Sequence, residues 1–353
     1  MAFFKTTSPH AHAVMNTGGL MRWVLGAMLP GIIALTYFFG WGSLINIVLA
    51  SITALTCEAL VLYLRRRPIG VYLNDGSALV TAFLLAIALP PYAPWWLLVI
   101  GTAIAIILAK QLYGGLGFNP FNPAMIGYVI LLISFPLEMT QWGAATPLLN
   151  EAQSLPSLTA SLQQVFMGIA IDGYTGATPL DLFKQQQGYM VEQIYANEPV
   201  FNRALWAGAG WEWVNIAFLL GGLVLLYKRI FTWHAPVAML VALTLMAAIF
   251  YDSGSSNSGG SPLLHLLSGG TMLGAFFIIT DPVSSATSNK GRLIFGASIG
   301  VLIYIIRVWG NYPDAIAFAV LLMNFAAPFI DYYTLPRTYG HKRSEKATRS
   351  REP

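Results

Sequence analysis

The chain has 353 residues, of which 56% are hydrophobic and 10% charged, and its formal net charge is +4. A soluble domain carries about 25% charged residues. This composition, with a mean hydropathy of +0.63, therefore excludes a single water-soluble core and indicates a polytopic membrane protein. The 19 Lys and Arg are scattered between apolar stretches, which argues against nucleic-acid binding. The one cysteine, Cys57, excludes an internal disulfide and a self-contained iron–sulfur or cysteine-based zinc site.

Met1 to Thr17 is polar, and the apolar run after it leads into a second with no A-x-A site, so no cleavable signal is expected. Apolar runs then fall at about 20–39, 41–64, 77–91, 94–113, 123–137, 211–227, 235–251, 262–280, 291–309 and 313–333. Several are shorter than the roughly 20 residues of a straight spanning helix. The third and fifth have the weakest claim to span fully. Short or Gly/Pro-interrupted runs are the mark of broken helices, which are tolerated where protein buries them. The expected fold is an all-α polytopic membrane protein of about ten transmembrane helices.

The positive-inside rule orients those ten runs. With the amino terminus in the cytoplasm, Lys5, Arg22, Arg65, Arg66, Arg67, Lys110, Lys228, Arg229, Lys290 and Arg292 fall inside. The tail adds Arg337, Lys342, Arg343, Lys346, Arg349 and Arg351, against Lys184, Arg203 and Arg307 outside. That bias fits an even number of spans with both termini cytoplasmic. Adding 193 to positions in the first half matches Gly76, Ala82 and Phe83 to Gly269, Ala275 and Phe276, and Gly117, Pro120 and Ala124 to Gly310, Pro313 and Ala317. Five spans per half is odd, so the second copy would be inverted in the membrane. The expected divisions are a first five-span repeat at 1–137, an outer loop at 138–210, a second repeat at 211–335 and a basic cytoplasmic tail at 336–353.

The outer loop holds no span-length apolar run and is far longer than an ordinary connection, so it is either functional or disordered. Leu162 to Ile171 is expected as a short amphipathic surface helix. Directly after it comes Asp172-Gly173-Tyr174-Thr175-Gly176-Ala177-Thr178-Pro179. Thr178 offers a hydroxyl, small residues precede it, and Pro179 keeps the stretch from coiling into a helix. Alone, such a tetrapeptide is most often an ordinary polar turn.

The stretch Asp172-Gly173 with Thr175-Gly176-Ala177-Thr178 resembles the flavin-attachment signature of the Rnf-type and sodium-pumping NADH:quinone reductase families. Further resemblance lies in Lys110-Gln111-Leu112-Tyr113-Gly114-Gly115-Leu116-Gly117, Asn119-Pro120-Phe121-Asn122-Pro123-Ala124, Thr280-Asp281-Pro282-Val283-Ser284, Lys290-Gly291-Arg292 and Asp331-Tyr332-Tyr333. The chain is thus similar, nearly throughout, to the D subunits of Rnf ion-translocating electron-transport complexes. The related B subunits of the quinone reductases typically carry a longer amino-terminal extension. The resemblance implies FMN joined covalently to Thr178 by a flavin transferase, with Asp172, Thr175, Gly176 and Ala177 as its surroundings. It also implies a second, non-covalent flavin, riboflavin in relatives, within the spans. Implied too are the other subunits of a bacterial inner-membrane complex, a second covalent flavoprotein among them, with the flavin loop periplasmic and electron flow coupled to Na+ or H+ movement.

For the second flavin, Asn119 and Asn122 are candidate contacts, with capping of broken helix ends as the alternative. Glu58 and Asp281 are acids at membrane depth and hence candidates for an ion pathway. A snorkelling pair with the Arg65 cluster is the alternative for Glu58, and capping after Pro282 is the alternative for Asp281. Arg307 would meet the FMN phosphate or pair with Glu138 or Glu212. Trp95, Trp96, Trp142, Trp206, Trp211, Trp213 and Trp309 read as an interfacial belt. The five histidines lack ligand spacing, so no metal site is expected. The competing function is a stand-alone inverted-repeat channel or transporter without a redox cofactor.

Overall fold

The structure is a computed structural model that describes residues 16–149, 155–169, 174–186, 188–312 and 314–334. In the first half, α1 is Thr17–Phe39, α2 Gly42–Leu64, α3 Ser77–Ala88, α4 Trp95–Gln111 and α5 Pro123–Ser134. The long loop carries α6 Leu158–Met167, α7 Pro179–Gln185 and α8 Val191–Asn197. In the second half, α9 is Trp211–Tyr227, α10 His234–Ile249 and α11 Pro262–Leu267. There α12 is Thr271–Leu273 running on into Gly274–Ile278, α13 is Asn289–Trp309 and α14 is Ile316–Thr334. Among the described residues there is no strand, only an isolated antiparallel bridge between Gly143 and Thr175. The protein is an all-α polytopic membrane protein.

Local chemistry sets the ends of these helices. Asn16 caps α1 by accepting from Gly19 N at 2.7 Å, and Gly40 ends it at φ +83°. Ser288 caps α13 by accepting from Gly291 N at 2.9 Å. Four helices, α1, α2, α13 and α14, are long and apolar enough to cross a membrane. The others are shorter. At 12 residues each, α3 and α5 reach about 18 Å, well short of a hydrocarbon core about 30 Å thick. Most of their side chains are buried against neighbouring helices, so protein rather than lipid surrounds them. Outward faces are apolar instead, with Ile33, Tyr37, Phe325 and Phe329 among the exposed side chains.

The expected eighth run is broken in two at Ser268-Gly269-Gly270, where Gly269 takes φ +61°. A break inside a buried apolar run frees backbone groups that must find partners. Asn215 on α9 supplies them, its Nδ2 donating to Leu267 O at 3.0 Å and Gly269 O at 2.9 Å while its Oδ1 accepts from Met272 N at 3.1 Å. Asp314 accepts from Gly270 N, and Arg307 and Thr271 both donate to His265 O.

Small residues let the long helices approach. A Cβ on Gly221 of α9 would lie 1.9 Å from Ala27 O of α1. On α13, Gly296 and Gly300 form a Gly-x-x-x-Gly face, and a Cβ on either would lie 2.3 Å from a carbonyl of α10, Ala235 or Met239. The two halves meet where α1 packs on α9 and α5 on α14.

Within the loop, α6 begins four residues earlier than the hydrophobic pattern suggests. Ser157 caps it through Ala160 N, and Gly168 at φ +68° ends it. Part of the expected stretch, residues 170 and 171, and the tail from 335 onward lie outside the described residues.

Candidate functional site

Two cavities sit at opposite ends of the same helices. Leu35 of α1, Ile87 and Ala88 of α3 and Trp211, Val214 and Phe218 of α9 line the first, of about 90 Å³. The other ends of those helices line the second, of about 250 Å³: Leu20, Met21 and Val24 of α1, Ser77, Thr81 and Leu84 of α3, and Leu225 of α9. Between them lies α12, whose Ile278 faces the first cavity and whose Phe276 and Phe277 face the second.

Thr178 belongs to the first cavity. It is the N-cap of α7, with a hydroxyl that accepts from Asp181 N at 3.2 Å and donates to Asp181 Oδ2 at 2.6 Å. Pro179 at the first helical position suits this start. Trp142, Trp211, Tyr128, Met125 and Met139 contribute to a largely apolar wall, and Asp181 and Asp314 stand on its polar side. Burial pushes the Asp181 carboxyl above its ordinary range, opposed by the bonds from Thr178. Thr175 forms the bridge to Gly143, while Thr175 and Ala177 are exposed. Gly176 is small because a Cβ there would meet Ala144 at 3.2 Å. Packing of the loop, and not only access to the hydroxyl, therefore selects the small residue. Asp172 lies outside the described residues.

A flavin ring on this hydroxyl would find the flat apolar walls it needs. Its phosphate fits less simply, because Asp181, which engages the hydroxyl, and Asp314, on the same cavity, are both carboxyls. Arg307 and Lys184 are cations of this end. Arg307 is buried and donates to His265 O, Thr271 Oγ1 and Asp314 Oδ1, with the last at 3.3 Å. Asp314 is thus its acid, in place of Glu138 or Glu212. Glu212 instead accepts from the backbone amides of Leu205, Trp206 and Ala207. Lys184 donates to Gly310 O and Tyr312 O beyond the end of α13.

Six of the seven expected belt tryptophans divide into two sets, and Trp96 is half-buried against Phe135. Trp95, Trp206, Trp213 and Trp309 are exposed in the manner of a belt. Trp142 and Trp211 pack edge to face at 4.8 Å, with Phe39 against both, and wall the cavity.

The second cavity gathers three of the other sequence candidates, Asn119, Asn122 and Asp281. Asn122 caps α5 through Ala124 N and Met125 N, so its carbonyl oxygen is committed to the helix. Asn119 donates to Phe121 O at 3.0 Å, but its Oδ1 is buried without a partner. An orphaned acceptor on a cavity of this size fits a ligand carrying a donor. Asp281 also lines the cavity, and it caps the turn after Pro282 by accepting from Val283 N and Ser284 Oγ.

Glu58 is buried, and its partner is Lys110, not the arginine cluster. Lys110 Nζ lies 2.6 Å from Glu58 Oε1 and 2.7 Å from Ser77 Oγ, and Gln111 Nε2 donates to the same carboxylate oxygen at 2.7 Å. Glu58 Oε2 and Gln111 Oε1 are left without partners. Arg65 and Arg67 turn instead to carbonyls at the end of α4, Gln111 O and Gly114 O. Charge counting treats Lys110 as a solvated inner charge. The signal that it is not lies in its place at the end of a long apolar run. Among the described residues no group of three or more His, Cys, Asp and Glu is placed to hold a metal.

The sequence matches one family over almost the whole chain. The profile of the NQR2, RnfD, RnfE family covers residues 4–340. The chain is similar to the D subunit of the ion-translocating oxidoreductase complex of Cellvibrio japonicus, at 62% identity over 99% of this chain and 98% of that one. It is similar to the protein of the same description from Pseudomonas aeruginosa, at 57% over 98% of both chains. The Vibrio vulnificus counterpart is 53% identical over 97% of this chain and 100% of its own. With both cavities, the loop and every helix inside the matched residues, the chain belongs to the NQR2, RnfD, RnfE family.

Proposed function

We propose that this chain is a membrane subunit of an ion-translocating oxidoreductase complex and carries electrons through a flavin esterified to Thr178. Support for the first part comes from its relatives, each described as the D subunit of such a complex. The attached flavin rests chiefly on one observation: the Thr178 hydroxyl borders an apolar cavity walled by Trp142, Trp211 and Tyr128. FMN joined there would supply one- and two-electron chemistry that no side chain offers. The chain's own part is to hold that group beside largely apolar walls and tie it to the spans. The orphaned Asn119 Oδ1 and the Asn122 cap support a second flavin, riboflavin or similar, in the larger cavity.

The packing of α1 on α9 and of α5 on α14 supports the inverted repeat, because these pairs are the first and last spans of the two halves. In this reading the loop faces the periplasm of a bacterial inner membrane and both termini face the cytoplasm. Glu58 and Asp281 remain the candidates for contact with the moving Na+ or H+. Partners are the other subunits, a second covalent flavoprotein among them, and a flavin transferase that matures this one.

A denaturing gel tests the flavin. Protein made with the transferase should show a fluorescent band that vanishes in Thr178→Ala, and the peptide containing Thr178 should carry the mass of FMN. A colourless wild-type band would leave the stand-alone channel as the better reading.

A further inference from the structure

We infer that Thr178 accepts its flavin only while the segment around it is undocked, and that the unmodified Thr178–Asp181 pair is the latch that closes this segment. The inference rests on the covalent-flavin reading above.

Thr178 is 9% exposed, and both functions of its hydroxyl are engaged by Asp181. Esterification needs the Oγ1 lone pair to attack phosphorus from the open side. The bond formed is Oγ1–P. The bond broken is the P–O bond of a pyrophosphate-linked flavin dinucleotide, a nucleoside monophosphate leaves, and the hydroxyl proton passes to a base of the transferase. An enzyme that brings so bulky a donor cannot seat it on the hydroxyl of a residue that is 9% exposed and closed over by Asp181.

The surroundings hold the segment shut from several sides. Ala144 N donates to Tyr174 O and Gly176 N to Trp142 O. Tyr174 donates through its hydroxyl to Phe39 O at 2.7 Å, and its ring packs on Tyr92. On α7, Leu180 and Phe183 bury with Leu264, Ile194 and Phe201, and Lys184 reaches Gly310 O. The receiving surface is shaped for this fit, since a Cβ on Gly208 would lie 2.4 Å from Pro179 Cγ.

Attachment also changes the latch itself. The ester oxygen has lost the hydrogen that Thr178 donates to Asp181 Oδ2, and a phosphate anion arrives beside two carboxyls, Asp181 and Asp314. The loaded segment therefore re-docks in a different arrangement, with Asp181 turned away from residue 178.

The test uses full-length protein made without transferase and purified in detergent. Transferase and flavin dinucleotide are then added, and incorporation is followed by fluorescence of the denatured band. Gly208→Ala loosens the dock from the receiving side and leaves the attachment segment unchanged. Lys184→Met loosens it independently, should Gly208→Ala disturb folding. The rate of attachment should follow the open population, so each variant should take up flavin about tenfold faster than wild type. Wild type that resists loading after purification, yet carries flavin when made together with the transferase, also supports attachment before docking. Equal rates in wild type and both variants would overturn the latch. No flavin in any preparation, including protein made together with the transferase, would instead defeat the covalent-flavin reading.

Discussion

Replacing Lys110 with methionine should strand a carboxylate inside the membrane. Glu58 and Lys110 have side chains 2% exposed, and their closest approach is 2.6 Å. Removing one partner of a buried pair costs about 3–5 kcal/mol, mostly for the charge left behind. Here the lower end is expected, because Gln111 Nε2 still donates to Glu58 Oε1. Ser77, the other acceptor of Lys110, keeps its own bond to Asp75 Oδ1 at 2.5 Å, so it adds little to the loss. Adding Glu58→Gln removes the stranded charge, and the double variant should recover to within about 1–2 kcal/mol of wild type. Heat inactivation in detergent, followed by tryptophan fluorescence across the four proteins of the cycle, measures this coupling. The reasoning fails if Lys110→Met is as stable as wild type, or if the double variant is no better than the single. Either result would mean that the lysine is not the counter-charge that keeps Glu58 buried.

Three further outcomes follow from other parts of the molecule. Asn215→Leu removes the bonds to Leu267 O, Gly269 O and Met272 N. At about 1 kcal/mol each, roughly 3 kcal/mol should be lost, with protease cleavage appearing near residue 269; unchanged resistance would show that the break closes without Asn215. Burial raises the Asp181 carboxyl in the folded protein, so its contribution to docking is fullest below the ordinary aspartate range and declines as pH rises through the raised value. Hydrogen exchange at α7, corrected for intrinsic rates, should therefore be slowest toward acid pH in wild type, and Asp181→Asn should flatten the dependence; an opposite slope would refute it. Finally, Gly221→Ala drives a Cβ to within 1.9 Å of Ala27 O, whereas a Cβ on Gly26 meets nothing within 4 Å. Only the former should lower thermal stability, and equal effects would count against close packing of α1 on α9.

The helices are legible in sequence because membrane spans write themselves locally, in length and hydropathy. Runs expected at 41–64 and 211–227 are helices at Gly42–Leu64 and Trp211–Tyr227. The third and fifth runs, the weakest as full spans, are the two 12-residue helices α3 and α5. What hydropathy cannot show is how a run is divided. The stretch 262–280 reads as one apolar segment, and only Gly269-Gly270 hints at the break. The break is stable because of Asn215, more than 50 positions away, and a one-dimensional pattern carries no trace of that partner. In the loop, the expected α6 is displaced because the pattern follows apolar side chains, while the ends obey Ser157 and Gly168.

Candidate site residues divide along the same line. Thr178 and Asn119 announce themselves by type and setting: a hydroxyl among small residues before a proline, and an amide beside prolines in an apolar stretch. Lys110 and Asp314 do not, because their meaning depends on partners. A lysine after an apolar run resembles an interfacial anchor until Glu58, 52 positions away, is found 2.6 Å from it. Arg307 shows the reverse error, since sequence offers it Glu138 and Glu212, both at the correct end, and the fold gives it Asp314, seven residues on. Nearness in the membrane plane is set by helix packing, and charge counting resolves only the membrane normal. Sequence therefore places a charged group at an end of this molecule, while its partner, and so its chemistry, is fixed by which helices the glycines of α9 and α13 allow to touch.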